Sequence, residues 1–83
     1  MHRTTARFWR SFEKLPAPVR SLARENFQLL KNDSRHPSLH FKKIGKFWSV
    51  RVGMSHRALA VKDANDYIWV WIGNHDEYES LIQ

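Results

Sequence analysis

The chain has no cysteine, which excludes disulfides and thiolate zinc sites and suits a reducing cytosol. No apolar run approaches the roughly 18 residues of a membrane span, and Met1 to Arg10 lacks the apolar core of a secretory signal. A cytoplasmic protein with no membrane partner is therefore expected. Repeats, linkers and low-complexity tracts are missing too, so the 83 residues are expected to form one domain spanning 1–83. The most informative absences concern charge. From Ser34 to Lys62 there is no Asp or Glu, although Arg35, Lys42, Lys43, Lys46, Arg51, Arg57 and Lys62 fall there. From Asp63 to Gln83 there is no Lys or Arg, while Asp63, Asp66, Asp76, Glu77 and Glu79 do.

What remains is basic and aromatic. The formal net charge is +6 and the isoelectric point lies near 10.2, which favours an acidic partner: nucleic acid or an acidic protein. The basic stretch is interleaved with His36, His40, His56, Phe41, Phe47 and Trp48, a mixture able to bind phosphates, stack on bases and move protons. The plain alternative for such a run is a solvated face with no partner. Four Trp, five Phe and two Tyr supply the core that so short a chain otherwise struggles to build.

Periodicity divides the chain into a helical first third and a strand-rich remainder. Thr5 can cap a helix over Ala6–Lys14, with Phe8, Trp9, Phe12 and Leu15 on one face. Leu15-Pro16-Ala17-Pro18 breaks it, and Pro18 suits the first turn of a second helix running to about Lys31. Strands are expected at Leu39–Ile44, Trp48–Met54, His56–Lys62 and Tyr67–Gly73, followed by a short helix over Asp76–Ile82. In the last strand Ile68, Val70 and Ile72 are expected on one face and Tyr67, Trp69 and Trp71 on the other. The fold class is α+β: an N-terminal helical hairpin packed on a small, mainly antiparallel twisted sheet with a short C-terminal helix.

Side-chain direction then suggests a site. If Val50, Val52, Ala58 and Ala60 face the helices, Arg51 and Arg57 share the opposite face. Trp69 and Trp71 would project the same way, His75 would follow in phase, and Lys42 or Lys43 would lie nearby. The alternative for the two tryptophans is ordinary core, and a single bulge would rotate part of the set away. Arginine forks match phosphate oxygens, and histidine exchanges protons near neutrality. Those are the requirements for cleaving an RNA phosphodiester through its own 2′-OH. A strand arginine usually pairs with a carboxylate, but the adjacent strands offer none. A zinc site from His36, His40, His56 and His75 is the weakest reading, since no thiolate is available. No metal or cofactor is expected.

Four segments carry a resemblance: His36-Pro37-Ser38-Leu39-His40-Phe41-Lys42, Trp48-Ser49-Val50-Arg51-Val52-Gly53, His56-Arg57-Ala58-Leu59 and Trp71-Ile72-Gly73-Asn74-His75-Asp76-Glu77-Tyr78. Together with the helical hairpin they resemble the RelE/ParE superfamily of bacterial toxins over nearly the whole chain. The resemblance implies the toxin of a type II toxin–antitoxin pair, partnered by a cognate acidic antitoxin. In the RelE branch it implies an mRNA endoribonuclease, free or acting on the ribosome. Carried over by position, Arg51 and Arg57 would clamp the phosphate, and His75 and Tyr78 would be the acid–base or base-stacking pair. Lys42, Lys43 and Lys46 would contact RNA with Trp69 and Trp71, and no residue stands out as the general base. Two departures are an N-terminal strand reduced to a stub and His56 where relatives often have Tyr. The alternatives are a ParE-like inhibitor of DNA gyrase without nuclease activity, and a non-catalytic RNA-binding domain.

Overall fold

In a computed structural model covering all 83 residues, the first helix, α1 (Ala6–Glu13), begins where the Thr5 hydroxyl oxygen accepts the Phe8 N–H at 3.1 Å. The same hydroxyl donates to the Trp69 carbonyl at 3.0 Å, so the cap also ties the helix to the sheet. The second helix, α2 (Ala17–Asn32), has proline in its first turn, where no N–H is needed. Both helices lie on one side of a five-stranded sheet. They straddle an apolar cavity of about 100 Å³, walled by Phe8, Phe12 and Phe27 and floored by Val50, Ala58 and Ile72.

The strands are β1 (His2–Thr4), β2 (Lys42–Ile44), β3 (Phe47–Val52), β4 (His56–Asp63) and β5 (Asp66–Asn74), in the spatial order β1-β5-β4-β3-β2. Only β1–β5 is parallel, as the mainly antiparallel expectation requires. β1 is the stub anticipated from its length. The strand foreseen at Leu39–Ile44 is shorter, because Pro37–Leu39 forms a 3-10 turn capped by the His36 ring. Met54 leaves the strand and is exposed, since Gly53 turns the chain with φ +64°. A side chain at 53 would be strained and would also meet Leu22 Cδ2 at 2.7 Å, so the turn needs glycine for two reasons. The final helix, α3 (His75–Ile82), is capped by Asn74, whose side-chain oxygen accepts the Glu77 N–H at 2.8 Å.

The facing expected for β5 also fails, and the failure is local. Leu59 pairs with Trp71 but Ala60 pairs with Trp69, leaving Val70 as an extra residue in β5. The bulge reverses the facing of everything before it. Trp69 and Tyr67 turn toward the helices, and Trp69 is only 3% exposed among Phe12, Leu30 and Ala60. Trp71 keeps the opposite direction. Trp69 is therefore a core residue, and its indole N–H is used internally, donating to His2 Nδ1 at 3.0 Å.

Candidate active site

Cross-strand partners share a face. Val50–Ala58 and Trp48–Ala60 face the helices, so Arg51–Arg57 and Ser49–Leu59 face the other way. Arg51 and Arg57 are thus directly opposite one another, an arrangement that normally costs stability through like-charge repulsion. Neither forms an ion pair: the carboxylates in ion pairs are Asp66, with the N-terminus and Arg3, and Glu79, with His75. Two half-buried guanidinium groups stand together without a counter-ion.

Each is held in place. Asn26 on α2 donates to the Arg51 carbonyl at 3.2 Å, fixing the β3 backbone from behind. The Arg51 Nη1 lies 3.4 Å from His40 Nε2, while its Nε is buried and has no hydrogen-bond partner. A buried donor without an acceptor is costly, so the guanidinium is held at this position at the expense of one hydrogen bond. Arg57 Nη1 donates to the His56 carbonyl at 2.9 Å, and its guanidinium carbon sits 5.8 Å from the centre of the Tyr78 ring. Beside Arg57 in β5 is Gly73, over which the Trp71 indole folds. A Cβ at 73 would collide with the indole Cζ2, so only glycine leaves room for that ring.

Helix α3 completes the row. Tyr78 is 5% exposed, which makes it a packed platform for Arg57 and leaves its ring no free face for a base. His75 is 5.8 Å from Tyr78, ring centre to ring centre, and keeps 44% of its side-chain exposure. Its Nε2 lies 3.2 Å from Glu79 Oε1, one helical turn on. Arg57 and His75 lie on the same side, as the strand phase implied, and Tyr78, expected from the resemblance alone, sits between them. Glu79 was not foreseen, because the helix expected over Asp76–Ile82 left His75 outside it, and only the start at His75 sets the pair one turn apart. Nor was a role for His40, which was expected inside the strand Leu39–Ile44 and instead ends the 3-10 turn.

The lysines separate. Lys42 pairs with Ser49 and shares the arginine face, whereas Lys43 pairs with Trp48 and points to the helix side. Lys46 sits at the β2–β3 turn with its ammonium 5.3 Å from the Phe47 ring centre. His56 pairs with Val52 and Asn74 on the helix-side face, away from the arginines. His36 is occupied as the cap of the 3-10 turn, its Nδ1 2.8 Å from Ser38 Oγ. No three His, Asp or Glu side chains gather as a metal site. No helix is long and apolar enough to cross a membrane.

The one clearly shifted titration lies outside this row. Burial, then the N-terminal ammonium, then Lys31 hold His2 below its ordinary value near 6.5. Its ring stacks on Tyr67 and Trp69 and meets Phe27 edge-on.

The chain is thus a small α+β domain that carries, on one face of its sheet, an arginine pair with no carboxylate within ion-pair distance. Residues 17–80 match the model of the ParE-like toxin domain, and the chain belongs to this family, within the RelE/ParE superfamily of toxins from toxin–antitoxin systems. No curated protein matches the sequence significantly. Among solved structures the fold is similar to the RelB–RelE antitoxin–toxin complex of Methanococcus jannaschii, with TM-score 0.74, 14% identity and 98% and 99% of the two chains covered. It is similar to the RelBE2 toxin–antitoxin complex of Mycobacterium tuberculosis, with TM-score 0.67, 19% identity and 90% and 96% covered. A copper-bound mutant toxin from Helicobacter pylori follows at TM-score 0.59 and 19% identity, covering 92% and 94%. At these identities the likeness establishes the fold.

Proposed function

We propose that this toxin is an endoribonuclease that cleaves mRNA, free or on the ribosome, and so inhibits translation. The observation that carries the reading is the directly opposed Arg51–Arg57 pair, without a carboxylate and with the buried Arg51 Nε unpartnered. Such a pair suits a phosphate, whose oxygens accept from both guanidinium groups and whose charge grows in the phosphorane transition state. His75, partly exposed beyond Arg57, is the acid that protonates the leaving 5′-oxygen. Tyr78 holds the Arg57 guanidinium against its ring. Lys42 and Lys46 contact neighbouring phosphates, Lys43 reaches only the rim from the other side, and Trp71 offers an aromatic surface to a base.

A cognate acidic antitoxin is the partner, laying carboxylates against Arg51 and Arg57 and closing the site. The RelB–RelE and RelBE2 complexes support such a partnership. In a pull-down with the neighbouring open reading frame's product, the Arg51→Ala, Arg57→Ala double variant should capture much less partner than wild type. Equal capture would show that the partner binds elsewhere.

The direct test is primer extension on mRNA after induced expression. Cleavage within coding sequence is expected, with RNA affinity that falls steeply with salt as counterions are released. The ParE-like family match favours a second reading, gyrase inhibition. An intact transcript pool together with blocked DNA supercoiling would establish that reading instead.

A further inference from the structure

His40 is the one titratable side chain touching the arginine pair that the functional reading has not used. It is exposed, and its backbone adopts the left-handed conformation, φ 45° and ψ 44°. A non-glycine residue rarely occupies that region unless its surroundings impose it. Here they do. The His36 ring accepts the Ser38 N–H at 3.3 Å, Pro37 starts the turn, and the Leu39 side chain is fully buried beneath it. The His40 N–H closes the turn on the Pro37 carbonyl at 3.3 Å. The result is a rigid post that presents the His40 ring to Arg51, Nε2 to Nη1, at 3.4 Å.

Arginine can only donate, so the contact is a hydrogen bond in the tautomer that carries its proton on Nδ1 and leaves Nε2 to accept. In that tautomer the ring presents a basic nitrogen beside the phosphate clamp. No carboxylate lies within ion-pair distance of His40, and the charged group it touches is Arg51 from β3.

Position matters as much as charge state. In-line attack of a 2′-oxygen on phosphorus puts the entering and leaving oxygens at opposite ends of the phosphorane. Base and acid must therefore flank the clamp from two sides. His40 adjoins Arg51 on the β3 side, while His75 lies past Arg57 through Tyr78 on the β5–α3 side.

Resting on the ribonuclease reading, we infer that His40 is the general base, and that the site runs between two imidazoles across the arginine pair. When the Arg51 guanidinium turns to the phosphate it releases the His40 Nε2 lone pair, which takes the 2′-OH proton as the 2′-oxygen bonds to phosphorus. The bond from phosphorus to the 5′-oxygen breaks, and the leaving oxygen takes the proton carried by the His75 imidazolium. The products are a 2′,3′-cyclic phosphate and a 5′-hydroxyl, and no other reactant is consumed.

The test compares wild type with His40→Asn, since asparagine tolerates the left-handed backbone but cannot accept the proton. Cleavage of mRNA, free and on programmed ribosomes, is followed across pH. Affinity is read by filter binding of an oligonucleotide carrying one 2′-deoxy residue at the cleavage position. Wild type should give a bell-shaped profile, one imidazole being needed neutral and the other protonated. His40→Asn should bind within about threefold, cleave about a hundredfold more slowly near neutrality and lose the acid limb of the bell. Undiminished cleavage would overturn the assignment. So would a loss uniform across pH with the bell intact, or a loss of binding that accounts for the loss of rate. If wild type does not cleave at all, the ribonuclease reading falls and this role with it, before any variant is made.

Discussion

On the helix side of β3 and β4, Val50, Val52, Ala58 and Ala60 are sealed beneath Phe12 and Leu30, and Trp69 finishes the layer from β5. One residue along the same strands, Arg51 and Arg57 face each other with no counter-ion, and the nearest rings belong to His40 and Tyr78. The pleat alone separates the two environments. The apolar face spends its residues on burial, and it is what lets the other face hold repelling charges in register. A sheet with one strongly packed side can carry an unfavourable arrangement on the other.

The contrast is open to attack from both sides. Trp69→Ala should strike hardest, removing about 3–5 kcal/mol of unfolding stability in a urea titration, as for other buried aromatics. Trp71→Ala, from a half-buried site, should cost clearly less while weakening RNA binding by an amount typical of a lost stacking ring, about 1–3 kcal/mol. Equal destabilisation by the two would erase the distinction the bulge creates. Next come Arg57→Ala and His75→Ala, each expected to slow mRNA cleavage about a hundredfold with the circular dichroism spectrum unchanged. If either unfolds the protein, the arginine face is structural. Gly73→Ala should lose about 1–3 kcal/mol by driving the indole of Trp71 off the strand, with a parallel fall in activity. Gentler still is Tyr78→Phe, which keeps the platform beneath Arg57 and should leave cleavage within a few-fold of wild type.

The smallest effect concerns the helix-side face and has a definite sign. Because His2 titrates lower in the folded chain than in the unfolded one, the unfolded state binds more protons between the two values. Its contribution is thus present above about pH 6.5 and is lost as pH falls below that toward the folded value. Denaturant midpoints for wild type should drop between pH 7 and pH 5 more than those of His2→Gln. A His2→Gln slope equal to wild type would assign the pH dependence to other groups.

How much of this was legible in the sequence depended on whether the pattern had a phase. β3 alternates Trp48, Val50 and Val52 with Ser49 and Arg51, and β4 sets Ala58 and Ala60 against Arg57, so a slip by one residue would bury both arginines; the facing of Arg51 and Arg57 follows. β5 is apolar on both faces from Tyr67 to Ile72. Nothing in such a run penalises an inserted residue, and the bulge at Val70 left no mark. The Pro37–Leu39 turn was similarly hidden, because Leu39 looks like the start of a strand until His36 is seen capping Pro37 and Ser38. His40 went unassigned for the same reason: its position is a product of that turn. Glu79 was missed by a shift of one residue, since the helix starts at His75 and so makes the pair one turn apart.

The bare Arg51–Arg57 pair also bears on how long the molecule lasts. A ligand that binds only the folded chain raises its stability by mass action, about 2.7 kcal/mol at a hundred times the dissociation constant. On the proposed reading such ligands are anions, because negative charge relieves the repulsion between the two guanidinium groups. Melting temperature should therefore climb with added phosphate or sulfate beyond what chloride of equal ionic strength achieves. Inside a cell, whatever occupies the pair also shields the fold from proteases that take the opened chain, so occupancy and survival rise and fall together.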